Sequence, residues 1–230
     1  MNEMPNFGIN FTNFDPNNLE VDETINVVFV IDKSGSIYDY VDDLNNALND
    51  FVETMKKSHV ADKMLVSTIT FDDDIKVVNG YQPISDVERF NIRPGGLTNL
   101  YSAVEKGLDN ANDYREQLQT AGITAKTLVF IITDGDDTCG GNPKAVQQKM
   151  AEIYKNEANS FTFTVILFGV GNGADYKKAA ADMGIRPELV AEVGRTGAEI
   201  RKMIGFISSS VSSSAAGGSV NNLSLIHISE

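Results

Sequence analysis

Five oxygen-bearing side chains stand where chemistry is possible. Asp32, Ser34 and Ser36 occupy alternate positions in DKSGS, directly after the apolar run VVFVI; Thr98 lies in PGGLTNL and Asp134 in FIITDGDD. Asp and Ser often stop a strand by capping the helix that follows, but a cap accounts for only one of the three oxygens between positions 32 and 36. Two carboxylates and three hydroxyls, with no nitrogen or sulfur, suit a hard cation. Mg²⁺ prefers oxygen ligands in octahedral geometry and keeps some of its waters, so Mg²⁺ is the expected ion and Mn²⁺ the second choice.

Such a set works only if the chain brings distant loops together. Short apolar runs at Ile25 to Ile31, Met64 to Phe71, Leu128 to Thr133 and Phe163 to Val170 read as buried strands. They alternate with helical periodicities, and that alternation predicts an α/β domain: a doubly wound, mostly parallel central sheet with helices on both faces. The first helix is carried by Ile37, Val41, Leu44, Leu48, Phe51, Val52 and Met55; others start near Asn99, Pro143, Ala174 and Gly197. DDIKVVNGYQPI follows the acidic run Asp72 to Asp74 closely enough to pair as a hairpin, giving one antiparallel edge strand. ELVAEVG reads as a short last strand. In an open parallel sheet the carboxyl ends of the strands line the ligand crevice, and the five oxygens lie just beyond, or in a loop above, such ends.

Residues 1–21, rich in Asn and without periodicity, read as an extended N-terminal arm, residues 22–212 as the domain, and 213–222 as a Ser/Gly-rich linker. LSLIHISE, residues 223–230, resembles the translated end of a sequencing-library adapter and reads as non-native, which sets His227 aside.

DKSGS, the threonine of GGLTN and the aspartate of TDG, in that order and on those elements, resemble the metal-ion-dependent adhesion site (MIDAS) of the von Willebrand factor type A (vWA) family. A lone DxSxS is a weak signal; the ordered three-part set is specific, and the likeness runs from about Asn26 to Val211. It implies a Rossmann-like fold with Asp32, Ser34, Ser36, Thr98 and Asp134 as metal ligands, direct or through water. It also implies a protein partner whose Asp or Glu completes the coordination. Integrin β chains of this family carry two adjacent acids after the second serine for an extra ion. Here Asp39 is followed by Tyr40, so a second ion is not expected, and Asp39 reads as a first-turn helix acid.

Composition narrows the alternatives. A net charge of −13 repels a phosphate backbone and offers no basic patch for nucleic acid, and a surplus of Asp and Glu is first of all a solvated surface. MNEMPNFGINFTNFDPNNLE lacks a secretory pattern and no apolar run approaches a membrane span, so the chain reads as cytoplasmic with no membrane partner. The lone Cys139 cannot form an internal disulfide, and no adjacent base activates it. With only His59 and His227, imidazole-based triads and zinc sites lack material. GVGNGAD, Gly169 to Asp175, reads as a tight strand-to-helix turn rather than a dinucleotide fingerprint. Asp72 to Asp74 read as a turn, and Asp136 and Asp137 as solvated loop acids beside the metal.

The expected function is a non-enzymatic, metal-dependent protein-binding module of the intracellular bacterial or phage branch, of the kind found in tellurium-resistance-type systems. The alternatives are a Mg²⁺-dependent phosphohydrolase, for which the motif loops supply only Lys33 and Arg93 as cations, and a structural or virion component.

Overall fold

The computed structural model describes residues 11–156, 158–171 and 175–217. Strand β1 (Glu23–Asp32) pairs in parallel with β2 (Met64–Phe71) on one side and β4 (Thr124–Thr133) on the other. β5 (Phe163–Val170) and β6 (Val190–Val193) continue the parallel sheet beyond β4, and β3 (Ile75–Pro83) runs antiparallel to β2 at the opposite edge. The order is therefore β3-β2-β1-β4-β5-β6. The hairpin and the antiparallel edge expected from the sequence are both present.

Helices cover both faces. On one face, Phe29 of β1 meets Phe51 of α1 (Val41–Lys56) edge-on at 5.4 Å, and Phe168 of β5 meets Phe206 of α6 (Gly197–Ala215) at 6.1 Å. On the other, Gly107 of α2 (Leu100–Thr120) lies against Val28, Val30 and Ile69. Neighbours along β1 thus point to opposite faces, and both faces are packed, which is why β1 reads as one continuous apolar run. α3 (Pro143–Tyr154) packs beside α2, and α5 (Asp175–Asp182) beside α3. A four-residue helix, α4 (Asn159–Thr162), has no counterpart in the periodicity.

Several boundaries differ from expectation. β4 begins four residues before the predicted Leu128 because Thr124 to Thr127 pair with Glu23 to Asn26; the half-exposed start hides the strand from an apolar-run reading. α1 starts at Val41, since residues 35–39 form a 3₁₀ turn and Tyr40 precedes the first helical residue. Asp39 therefore sits in that turn, and the first-turn acids of α1 are Asp42 and Asp43. α6 extends into the predicted linker as far as Ala215. The described part of the arm is docked: the Phe14 amide donates to the Tyr81 carbonyl at 2.7 Å, and the Tyr114 hydroxyl donates to the Phe14 carbonyl at 2.9 Å. The adapter-like end, His227 and the turn residues 172–174 lie outside the described residues.

Candidate metal centre

β1, β2 and β4 end side by side; Asp32 closes β1, Ser34 and Ser36 follow it, Asp134 follows β4, and Thr98 comes from the loop that leads into α2. Asp32 is the last residue of β1 and only 1% exposed. Its carboxylate accepts from the Ser34 amide at 2.8 Å and from the Thr133 hydroxyl at 2.7 Å. Ser34 Oγ lies 3.0 Å from Ser36 Oγ, and the Ser36 hydroxyl donates to Asp134 Oδ1 at 2.7 Å. Four of the five predicted residues are thus joined by side-chain or backbone contacts.

Thr98 is brought in through its backbone. The Gly35 amide donates to the Gly96 carbonyl at 3.2 Å and the Gly95 amide to the Lys33 carbonyl at 2.9 Å, binding its loop to the DKSGS loop. Thr98 and Thr138 exchange bonds, Thr98 N–H to Thr138 Oγ1 at 2.9 Å and Thr138 N–H to the Thr98 carbonyl at 2.8 Å, which joins it to the Asp134 loop. Gly96 has a φ of +72° and faces Asp73, a left-handed position where a Cβ would collide with that carboxylate. The acidic run holds this geometry as a turn should: Asp72 Oδ1 accepts from the Asp74 amide at 2.9 Å, Asp73 Oδ1 from the Leu97 amide at 3.1 Å, and Asp72 is ion-paired with Lys33.

The loop acids after Asp134 are structural rather than simply solvated. Asp137 accepts from the amides of Tyr101, Cys139 and Gly141, and Asp136 bonds the Tyr101 hydroxyl at 2.9 Å and Lys178 at 3.2 Å. The Cys139 thiol is pushed up by partial desolvation and then by the Asp137 and Asp73 charges, so it is no activated nucleophile.

Arg195, in the loop between β6 and α6, went unnoticed in the sequence. Its guanidinium donates to Asp134 Oδ2 at 3.1 Å, with the Asp134 side chain 2% exposed, and lies over the Tyr40 ring at 5.8 Å. It packs against Gly171, whose φ is +98°. The signal that could have found it is the rule already used for Asp134: it follows the carboxyl end of a sheet strand. Thr133, which orients Asp32, is the other residue missed.

The electrostatics are those of a site short of positive charge. Burial, chiefly, and to a smaller degree the Asp134 charge push the Asp32 carboxyl up from 3.8 to about 6, against the opposing bonds from Ser34 and Thr133. Burial, then the Asp134 and Asp32 charges, push the Tyr40 hydroxyl well above its ordinary range. Among the described residues no three His, Cys, Asp or Glu side chains form a metal-holding group, so a cation here depends on hydroxyls. The residues fit one. Adjacent octahedral ligands about 2.1 Å from Mg²⁺ stand about 3.0 Å apart, close to the 3.0 Å between Ser34 and Ser36 and the 2.7 Å between Ser36 and Asp134.

The von Willebrand factor type A domain profile matches residues 26–202. This chain belongs to the vWA family. Inter-alpha-trypsin inhibitor heavy chain H2 of Mus musculus is 26% identical over 167 residues, 65% of this chain and 16% of the heavy chain. The chain thus spans about a sixth of that relative. The uncharacterized protein YwmD of Bacillus subtilis is 24% identical over 181 residues, 69% of this chain and 75% of YwmD. Proximal thread matrix protein 1 from mussel byssus, with a zinc-occupied MIDAS motif, superposes with a TM-score of 0.53 at 18% identity, covering 81% of this chain and 45% of that one. That likeness shows a shared fold. vWA domains are typically non-enzymatic interaction modules that hold a divalent metal at the MIDAS.

Proposed function

We propose that this vWA domain holds Mg²⁺ or Mn²⁺ on Asp32, Ser34, Ser36, Thr98 and Asp134 and presents it to an Asp or Glu of a protein partner, without turning over a substrate. The observation that carries this reading is the run of oxygens from Ser34 through Ser36 to Asp134, at 3.0 and 2.7 Å, beside the buried Asp32 carboxylate. With neutral hydroxyls in direct contact and the carboxylates reaching through water, a bound ion would keep much of its positive charge, to which a third carboxylate is drawn. Thr133 and the Ser34 amide fix the rotamer of Asp32, while the backbone ties from Gly35 and Thr138 hold Thr98 between the two acidic loops. The oxygen-only donor set favours a hard cation over zinc.

A hydrolase would need a base, a second ion or a cationic clamp. His59 lies beyond the far end of α1, a 16-residue helix whose start abuts the site, hence roughly 24 Å away. Lys33 is engaged by Asp72 and Arg195 by Asp134, while Arg93 lies on the exposed side of a neighbouring cleft. Affinity capture with Mg²⁺ and again with EDTA tests the reading: partners should be retained only with the ion and lost with Ser34→Ala. Equal capture in all three would refute it, as would Mg²⁺-dependent phosphate-ester hydrolysis abolished by Asp134→Ala.

A further inference from the structure

Next to the site, on the β3 side of the sheet, a cleft of about 690 Å³ opens between β3 and the segment 86–93. Its floor includes Thr70 and Lys76, which face each other across the β2–β3 register, and Val78, which is 51% exposed. Its wall is held by α1: Asn49 exchanges two hydrogen bonds with the Phe90 backbone at 2.7 and 3.1 Å, and Asn45 two with the Ile92 backbone at 2.7 and 3.0 Å. With Phe90 and Ile92 turned inward and buried, Arg89 and Arg93 are left on the exposed side.

The charge of this cleft is inverted relative to the molecule. The whole chain carries −13, yet Lys33, Lys76, Arg89 and Arg93 line the cleft against only Asp86 and Glu88. Lys33 is engaged by Asp72, but Lys76, Arg89 and Arg93 have no carboxylate within 4.0 Å among the described residues. Unpaired cations gathered in one concavity of an acidic protein focus field toward an anionic ligand. The cleft also reaches the metal centre: Lys33 stands between Asp32 and Ser34, and its carbonyl accepts from Gly95, two residues after Arg93.

We propose that the partner's contact segment is an extended, acidic stretch of polypeptide, one acid directed to the ion and further acids lying along this cleft against Lys76, Arg89 and Arg93. This rests on the metal-mediated reading and names the chemistry of its partner. Arg89 and Arg93 are at most about 14 Å apart along the backbone, a span that four residues of extended peptide cover. Side chains of an extended segment alternate in direction, so acids at alternate positions would face the cleft together.

The test uses fluorescein-labelled hexaglutamate, with fluorescence anisotropy in Mg²⁺ or EDTA, and Mn²⁺ uptake followed in parallel by electron paramagnetic resonance. The wild type should bind hexaglutamate in Mg²⁺, less tightly as salt rises. The triple variant Lys76→Gln/Arg89→Gln/Arg93→Gln should weaken it by about tenfold while taking up Mn²⁺ and melting much as the wild type does. Ser34→Ala should lose the Mg²⁺-dependent part of the affinity. Unchanged hexaglutamate affinity in a triple variant that still takes up Mn²⁺ would overturn the cleft assignment, and so would tighter binding of hexathymidylate than of hexaglutamate. Failure of the wild type to take up Mn²⁺ would sink the metal reading beneath it, and the resonance signal separates that result from a failure of the cleft alone.

Discussion

Asp32 carries a cost that the rest of the site explains. Its carboxyl is held near 6 instead of 3.8, so folding favours the protonated acid. Below about pH 4 both folded and unfolded chains are protonated and no penalty exists. Between 4 and 6 the unfolded chain loses its proton first, and stability falls as pH rises, by about 3 kcal/mol once pH exceeds 6. Asp32→Asn keeps an oxygen for the Ser34 amide, turns an NH₂ toward the Thr133 hydroxyl, which can accept from it, and removes the charge. In EDTA it should therefore raise the melting temperature at pH 7.5 and change it little at pH 4, while abolishing Mn²⁺ binding; an equal effect at both pH values would rule out burial of charge as the cause. Arg195 acts in the opposite sense, supplying positive charge to Asp134 at 3.1 Å. Its side chain is 46% exposed, so solvent screens the pair and its loss should cost about 1 kcal/mol of metal-free stability. Arg195→Gln should consequently bind Mn²⁺ several-fold more tightly than wild type at low salt, because a competing cation is gone. Titration showing equal or weaker affinity would remove Arg195 from the electrostatics of the centre.

At the scale of elements, the strands and helices that deliver the site were legible because they are buried on both faces or strongly amphipathic; β1 and α1 are of this kind. What stayed hidden depends on pairing rather than on pattern. The polar start of β4 is a strand because Glu23 to Asn26 lie beside it, and residues 86–93 are held in place by Asn45 and Asn49, whose amides look like ordinary polar positions on a helix until their partners are known. The five predicted oxygens lie at the end of β1 and in three loops, but nothing in their spacing pointed to Arg195, which follows β6. The clamp can be tested. Asn49→Ala would leave the Phe90 N–H and carbonyl buried without partners, a loss of about 1–3 kcal/mol, and hydrogen exchange at residues 88–92 should accelerate before that of β1. Uniform acceleration across the sheet would mean that Asn49 supports the core instead of the cleft wall. Gly107→Ala should also destabilise, by about 1–3 kcal/mol, although alanine is the better helix former, since its Cβ would stand 2.9 Å from Val30 Cγ2.

For the whole molecule, a net charge of −13 means that any cation stabilises it to some degree by screening self-repulsion. A rise in melting temperature with Mg²⁺ is therefore no proof of a site by itself. A ligand that binds only the folded state adds about 2.7 kcal/mol at a hundred times its dissociation constant, which for a chain of this size is a shift of about 5–10 °C. Screening, by contrast, acts on charges spread over the surface and does not depend on one hydroxyl. Ser34→Ala leaves the net charge untouched and removes a single oxygen from the centre. The expected outcome is that wild type and Ser34→Ala respond alike to NaCl of matched ionic strength, while Mg²⁺ adds its further shift only to the wild type. Ca²⁺, a larger ion that seeks six to eight oxygens at longer distances, should stabilise the wild type less than Mg²⁺ does. An identical Mg²⁺ response in both proteins would assign the whole effect to screening and leave the five oxygens without an ion to hold.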